Sequence, residues 1–208
     1  ANSNFTKELA IKVGINSSKI KVIFPGVPKP KVIEDKFKTE AESILKDAFP
    51  KIITVARLEK RKSHDKVLMA IKNLKAKFPN IKYISIGFGE EENNLKKLSK
   101  ELSIENEAIF LKNIDENLKL ALIAASNIFL MPSIIDKKSV EGFGIAYMEA
   151  ASYGVGSIGG KDGGESDAIV HNETGLICDG NDLNSIYETV NDFFKNDKFN
   201  KFGKTAQK

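Results

Sequence analysis

An α/β fold, a Rossmann-like parallel sheet with helices on both faces, is what this sequence predicts, and three observations carry the prediction. Six short apolar runs recur along the chain, at 52–56, 83–87, 108–111, 128–132, 155–158 and 176–178. Between them, apolar residues return at helical spacing: Val67, Leu68, Ile71, Leu74 and Phe78, then Leu95, Leu98 and Leu102, then Leu118, Leu122 and Ile123. Several loops leaving the runs hold glycines and clustered charges. Repeated strand–helix–strand units build a parallel sheet, and ligands of such sheets bind beyond the carboxyl ends of the strands.

Taken in order, Asn2 or Ser3 can cap a helix over about 4–13, which Gly14 closes. Residues 20–24 read as a short strand. Pro25-Gly26-Val27-Pro28-Lys29-Pro30 packs three prolines and a glycine into one stretch, which forbids regular structure and marks a linker. A helix over 40–48 follows. The run 52–56 leads into Arg57-Leu58-Glu59-Lys60-Arg61-Lys62-Ser63, where Ser63 can cap the next helix. The run 83–87 leads into Phe88-Gly89-Glu90, and 128–132 leads to a turn at Glu141. The run 155–158 leads into Gly159-Gly160-Lys161-Asp162-Gly163-Gly164. Four strand ends thereby face one crevice. Helices over 145–151 and 183–194 complete the pattern, and 196–208 are expected to be only marginally ordered.

Composition narrows the function. At 208 residues with 41% hydrophobic content, the chain can bury one good core. Its 32 basic and 28 acidic residues give a net charge of +4, spread along the chain, so nothing calls for nucleic acid. No apolar run approaches the roughly 18 residues that span a bilayer, and the first residues do not form a signal peptide. A cytoplasmic location is the expectation. The single cysteine, Cys178, excludes an internal disulfide and reads as a small core residue, while two histidines, His64 and His171, offer no structural zinc site. His64 reads as a first-turn helix residue more than as a base. Neither the full dinucleotide fingerprint nor a phosphate-binding Gly-x-x-x-x-Gly-Lys-Ser/Thr loop occurs, and Ser166 is not in a nucleophile elbow.

The chemistry concentrates at Glu141-Gly142-Phe143-Gly144-Ile145-Ala146-Tyr147-Met148-Glu149. A carboxylate and a Gly-Phe-Gly turn precede a helix start, and a second carboxylate sits in that helix. Free N–H groups and the positive end of the dipole attract phosphate there. Glu141 can equally be a solvated loop acid, but Glu149 lies among Ala146, Tyr147, Met148, Ala150 and Ala151 and wants a partner. Arg57 and Lys62, five apart after the first run, can clamp a diphosphate or lie on a solvated basic turn with Lys60 and Arg61. Gly87 and Gly89 make a Gly-x-Gly that is weak alone.

Together, Arg57, Lys62, Gly87-x-Gly89, Glu141 with Glu149 eight residues on, Gly163-Gly164 and Asn172-Glu173-Thr174-Gly175-Leu176 resemble the C-terminal half of the retaining nucleotide-sugar glycosyltransferases of family 4 (group 1), which have the GT-B fold. The resemblance covers nearly the whole chain. It implies a division into 1–27 (end of an N-terminal domain and linker strand), 28–50 (linker and helix), 51–195 (donor-binding domain) and 196–208 (tail). It implies that Arg57 and Lys62 hold the diphosphate leaving group. Glu141 would bind donor sugar hydroxyls, with the N–H groups of Phe143, Gly144 and Ile145 near sugar and phosphate. Glu149 would take the ribose hydroxyls, while Lys112 and Asn113 border the nucleobase. The substrate implied is a nucleotide-sugar such as GDP-mannose or a UDP-sugar, with neither a separate cofactor nor a metal required. The acceptor, a glycan or lipid-linked molecule, would be held by an N-terminal domain that this chain lacks, so the chain would bind donor and turn over little. Membrane association of the full-length enzyme at its periphery stays open. Ser63 stands where the family often has glycine, and Gly156 where it often has proline. A non-catalytic nucleotide or phosphosugar module and a GT-B-type sugar-nucleotide epimerase are the alternative readings.

Overall fold

The computed structural model describes residues 1–208. Six strands form one sheet: β1 (Lys51–Val55), β2 (Lys82–Ile86), β3 (Ala108–Leu111), β4 (Ile128–Met131), β5 (Ser157–Gly160) and β6 (Gly175–Cys178). Their spatial order is β3-β2-β1-β4-β5-β6, and every pairing is parallel. The chain lays strands outward from β1 in one direction and then, from β4, in the other. That reversal opens a crevice at the carboxyl ends of β1 and β4.

Period-two alternation distributes the strand residues between two cores. Ile52, Tyr83, Ile128, Leu130 and Ile158 face one side, and Ile53, Ile84, Phe129 and Met131 the other. On the first side lie α3 (His64–Leu74), α4 (Glu92–Glu101) and α8 (Leu183–Phe193), contributing Val67, Leu68, Ile71, Leu95, Ile186 and Val190. On the second lie α2 (Asp35–Leu45), α5 (Glu116–Ala124) and α6 (Ile145–Ser152), contributing Ala41, Leu45, Leu118, Leu122, Tyr147 and Ala150. The Rossmann-like parallel sheet with helices on both faces is therefore present as the sequence predicts.

Boundaries differ where burial outweighs local signals. Helix α2 starts five residues before the expected 40, because Phe37 joins Ala41, Ile44 and Leu45 on one apolar face. Gly159 and Gly160 complete β5 instead of opening the loop after it. Residues 20–24 are not a strand: a 3₁₀ turn, Ser17–Lys19, precedes them, and Ile23 and Phe24 are exposed. Ala1 alone pairs with them, its ammonium donating to the Lys21 carbonyl and its carbonyl accepting from the Ile23 N–H, both at 2.9 Å, and a single residue does not extend into a ladder.

The tail is also a correction. Residues 198–206 form helix α9 (Lys198–Ala206), whose Phe202 is buried against Phe193 with ring centroids 5.2 Å apart. Phe199 stacks on Phe49 and Phe194 beside it. At the other end, α1 (Asn4–Lys12) is capped by Ser3, whose Oγ accepts from the Thr6 N–H in a capping box. The Asn4 N–H and Nδ2 both donate to Asp167 at 2.7 Å, in the short helix α7 (Glu165–Ala168), pinning α1 beside the carboxyl ends of the strands.

Candidate functional site

The turn after β1 does not lie open to solvent. Lys60–Lys62 close a 3₁₀ turn, and Ser63 then takes φ +54°, the left-handed region that glycine enters more cheaply. Its hydroxyl donates to the Gly180 carbonyl at 2.8 Å and does not cap α3, which is the role the sequence suggested for it. This bend turns Arg61 and Lys62 inward, leaving their side chains only 8% and 9% exposed.

Both cations converge on Glu141, itself 13% exposed. Arg61 Nη1 donates to Glu141 Oε2 at 3.1 Å, and the Lys62 ammonium donates to the same oxygen. Arg61 Nη2 donates to Glu59 Oε1 at 2.8 Å, and Arg57 reaches that Glu59 oxygen at 3.4 Å with a side chain 69% exposed. A chain of charges thus runs Arg57, Glu59, Arg61, Glu141, Lys62 across the ends of β1 and the loop after β4. Burial lowers the Lys62 ammonium. Burial acts upward on the Glu141 carboxyl, but the Lys62 charge and the hydrogen bonds from Lys62 and Arg61 outweigh it and hold it below the ordinary value. Two cations poised on one carboxylate oxygen form a ready anion clamp.

His64, the first residue of α3, fixes that turn from below. Its Nε2 lies 3.2 Å from the Arg57 carbonyl and its Nδ1 3.2 Å from the Tyr83 hydroxyl. Burial drives its pKa down to about 4, so at neutral pH the ring is uncharged. With Nε2–H donating to the Arg57 carbonyl, Nδ1 carries no proton, and the Tyr83 hydroxyl lies between it and Thr54 Oγ1, 3.1 Å away. His64 is a structural support, as its sequence position suggested.

The Gly-Phe-Gly turn sets up α6. Gly144 has φ +88°, and a Cβ there would come 2.4 Å from the Tyr147 ring, so only glycine fits. No hydrogen bond engages the N–H groups of Phe143, Gly144 or Ile145, which leaves them free at the helix start. Phe143 is buried, with its ring 6.0 Å from Phe24 of the linker. Gly164 N–H donates to the Glu141 carbonyl at 2.9 Å and ties the turn after β5 to the acid loop.

Glu149 projects from α6 toward α5, where Lys119 Nζ donates to it at 2.8 Å and also pairs with Glu116 at 2.9 Å. Burial works against the Lys119 charge, but the two carboxylates outweigh it and raise its pKa. Two cavities meet at these residues. One, about 260 Å³, lies at the carboxyl ends of β1, β2 and β3 and is lined by Arg57, Gly87, Phe88, Asn113, Glu116 and Lys119. The other, about 270 Å³, lies between the proline-rich linker and α6, with Glu116, Ile145, Glu149 and Tyr153 in its wall.

The predicted residues fall into groups. Lys62, Glu141 and the start of α6 come together; Arg57 joins them through Glu59 and enters the crevice with Gly87. A Cβ on Gly87 would lie 1.9 Å from the Ala56 carbonyl oxygen, so this glycine lets the turns after β1 and β2 touch. Gly89 sits in the same contact, where Leu58 N–H donates to the Phe88 carbonyl at 3.0 Å. Lys112 points away to Glu92 of α4, 2.9 Å off, and its neighbour Asn113 lines the crevice instead. Sequence reasoning missed Arg61, treated there as solvated, together with Lys119 and the buried Glu165. The signal for Arg61 was its acidic neighbour Glu59; Lys119 carried one too, Glu116 a turn earlier on the same helix.

No helix is long and apolar enough to cross a membrane. A family model described as glycosyl transferases group 1 matches residues 35–208. A GDP-mannose-dependent monoacylated α-(1-6)-phosphatidylinositol monomannoside mannosyltransferase of Corynebacterium glutamicum is 31% identical over 163 residues, 77% of this chain and 42% of that protein. A GDP-mannose-dependent α-(1-6)-phosphatidylinositol monomannoside mannosyltransferase of Mycolicibacterium smegmatis is 28% identical over 145 residues, 69% of this chain and 38% of that protein. The chain thus spans about two-fifths of these curated relatives. Among solved structures, Anabaena Alr3699/HepE in complex with UDP and glucose superposes with a TM-score of 0.85 at 20% identity, covering 100% of this chain and 56% of that one. The likeness shows the fold, one half of a GT-B architecture.

Proposed function

This chain belongs to the glycosyl transferases of group 1, and we propose that it is the donor-binding half of a retaining hexosyltransferase that draws on a nucleotide-sugar. The observation that carries the reading is the convergence of Lys62 and Arg61 on Glu141 beside the open N-terminus of α6. A nucleoside diphosphate leaves the sugar when the bond from C1 to the phosphate oxygen breaks and its electron pair stays on that oxygen. The developing charge needs fixed positive groups, and these must be in place before the bond breaks. Lys62 and the N–H groups of Phe143, Gly144 and Ile145 supply them, with Arg57 closing on the diphosphate from the crevice. Cationic side chains and a helix start fill that role without a metal ion being invoked.

Glu141 keeps Oε2 on the cations, and its Oε1 is left to accept sugar hydroxyls. Glu149, held by Lys119 at the join of the two cavities, accepts from the ribose hydroxyls. The nucleobase lies beyond it in the crevice bordered by Gly87, Phe88 and Asn113, with Gly89 setting the turn and Lys112 flanking from outside. The mannosyltransferase relatives use GDP-mannose, and the solved relative holds UDP and glucose, so GDP-mannose and UDP-sugars are the donors to test. The acceptor reading is a glycan or lipid-linked molecule bound outside this chain, with the full-length enzyme at the cytoplasmic membrane surface.

Calorimetric titration with GDP and UDP, without added metal, tests the assignment. Binding is expected with the natural sequence, weakened about tenfold or more in Glu149→Ala through loss of the ribose hydrogen bonds, each contributing about 1 kcal/mol or more. It is expected to be abolished in the Arg57→Ala/Lys62→Ala double variant. Unchanged affinity in both variants, with their melting temperatures retained, would falsify the placement of the donor.

A further inference from the structure

Glu165 opens α7, directly after the Gly163-Gly164 turn, and none of its surface reaches solvent (0% exposed). Neither of its carboxyl oxygens has a hydrogen-bond partner. Two more buried polar atoms nearby share that condition, Arg61 Nε and Ser133 Oγ. The side chain converges on Glu141: a Cβ built on Gly163 would lie 2.3 Å from Glu165 Oε2 and 3.2 Å from Glu141 Cβ. From Gly159, the corresponding point lies 3.1 Å from Glu165 Cβ and 3.3 Å from the Tyr147 hydroxyl. A carboxyl enclosed without partners is costly, and a residue kept only for scaffolding is ordinarily hydrogen-bonded.

We propose that Glu165 is a positioning residue for the anion clamp: as the neutral acid it leaves Lys62 and Arg61 committed to Glu141, and once ionised it competes with an incoming diphosphate for those two cations. The proposal rests on the donor-binding reading above. The titratable and charged groups whose charges act on Glu165, or on which it acts, are Glu141 from the acid loop, Lys62 and Arg61 from the turn after β1, Tyr147 from α6 and Cys178 from the end of β6. Burial raises the Glu165 carboxyl to about 8 against the pull of its own backbone N–H, with Glu141 adding to the rise and Lys62 and Arg61 opposing it. Tyr147 is pushed well up and Cys178 to about 12, both chiefly by burial, so neither loses its proton where Glu165 does. Lys62, lowered by burial, is the other group here that can titrate on the alkaline side, so the test compares variants as well as pH.

The experiment measures the affinity of GDP and UDP by calorimetry, without metal, at pH 6.5 and pH 9.0 for the natural sequence and for Glu165→Gln. The natural protein is expected to bind at least tenfold more weakly at the higher pH, while Glu165→Gln holds its own affinity within about threefold across the range. Parallel loss in both proteins overturns the proposal, as does a flat profile in the natural one. Carboxyl ¹³C titration of the natural protein, with Glu165 assigned through its missing signal in Glu165→Asp, keeps the proposal testable where the Gln variant fails to fold. A midpoint between pH 7 and 9, accompanied by a shift of the Lys62 ammonium ¹⁵N signal, supports it; a midpoint near 4.5 overturns it. Absence of binding by either nucleotide at both pH values overturns the donor-binding reading itself, a result distinct from binding whose pH dependence ignores residue 165.

Discussion

His64 shows what one residue at this site contributes to stability. Its folded pKa of about 4 lies below the ordinary 6.5, because burial disfavours the charged ring. The unfolded chain therefore binds the proton more readily, and stability held above pH 6.5 is lost as the pH falls toward 4. The loss is about 3 kcal/mol for a separation of this size. Denaturant unfolding of the natural protein and of His64→Gln at pH 7 and pH 4.5 is expected to show the advantage of His64 shrinking on acidification; an offset that stays constant contradicts the assignment. The sequence revealed His64 as a helix-start residue and Glu141 with Glu149 as a spaced pair, since both readings depend on near neighbours. Arg61 was legible only in part this way, through its neighbour Glu59. Its partner Glu141 stands 80 positions away, and whether a basic turn is buried depends on which distant carboxylate the fold delivers to it. Glu165 was hidden for the same reason, its Gly-rich surroundings giving no hint that the side chain points inward.

Among the elements, α9 is the one that sequence patterning undervalued. Three of its nine residues are lysines, and Phe199 and Phe202 are its large apolar side chains, too few for periodicity to register. What holds the helix is the aromatic cluster it completes with Phe49, Phe193 and Phe194, rings 5.2–5.9 Å apart at tilted or edge-on angles. Truncation of Phe202 to alanine is expected to cost about 3–5 kcal/mol, read as a fall of roughly 10 °C or more in Tm. An unchanged Tm would mean that α9 does not dock. Most strands were legible because they are short apolar runs, rich in β-branched or aromatic residues in β1 to β4, set between helical patterns. Residues 20–24 carried the same local signature and still form no strand, because pairing is a property of two segments and only Ala1 bridges to them, through the Lys21 carbonyl and the Ile23 N–H.

At the scale of the whole molecule, the strand order β3-β2-β1-β4-β5-β6 does the organising. It puts the turns after β1 and β2 on one side of the crevice and the loops after β4 and β5 on the other, so that the turn holding Arg57, Arg61 and Lys62 meets Glu141, about 80 positions further along the chain. Alternation of strands and helices made the parallel sheet readable, and the glycine and charge content of the outgoing loops is what points to their edge as the proposed donor site. The central claim is that this edge holds a nucleoside diphosphate, and amide chemical-shift mapping during titration with GDP and UDP tests it most directly, since weak binding still registers. Perturbations are expected to cluster at residues 57–62, 87–89, 113 and 141–149, with the largest at Phe143, Gly144 and Ile145. Shifts confined to α1, α8 or α9, or none from either nucleotide at millimolar concentration, would contradict the account.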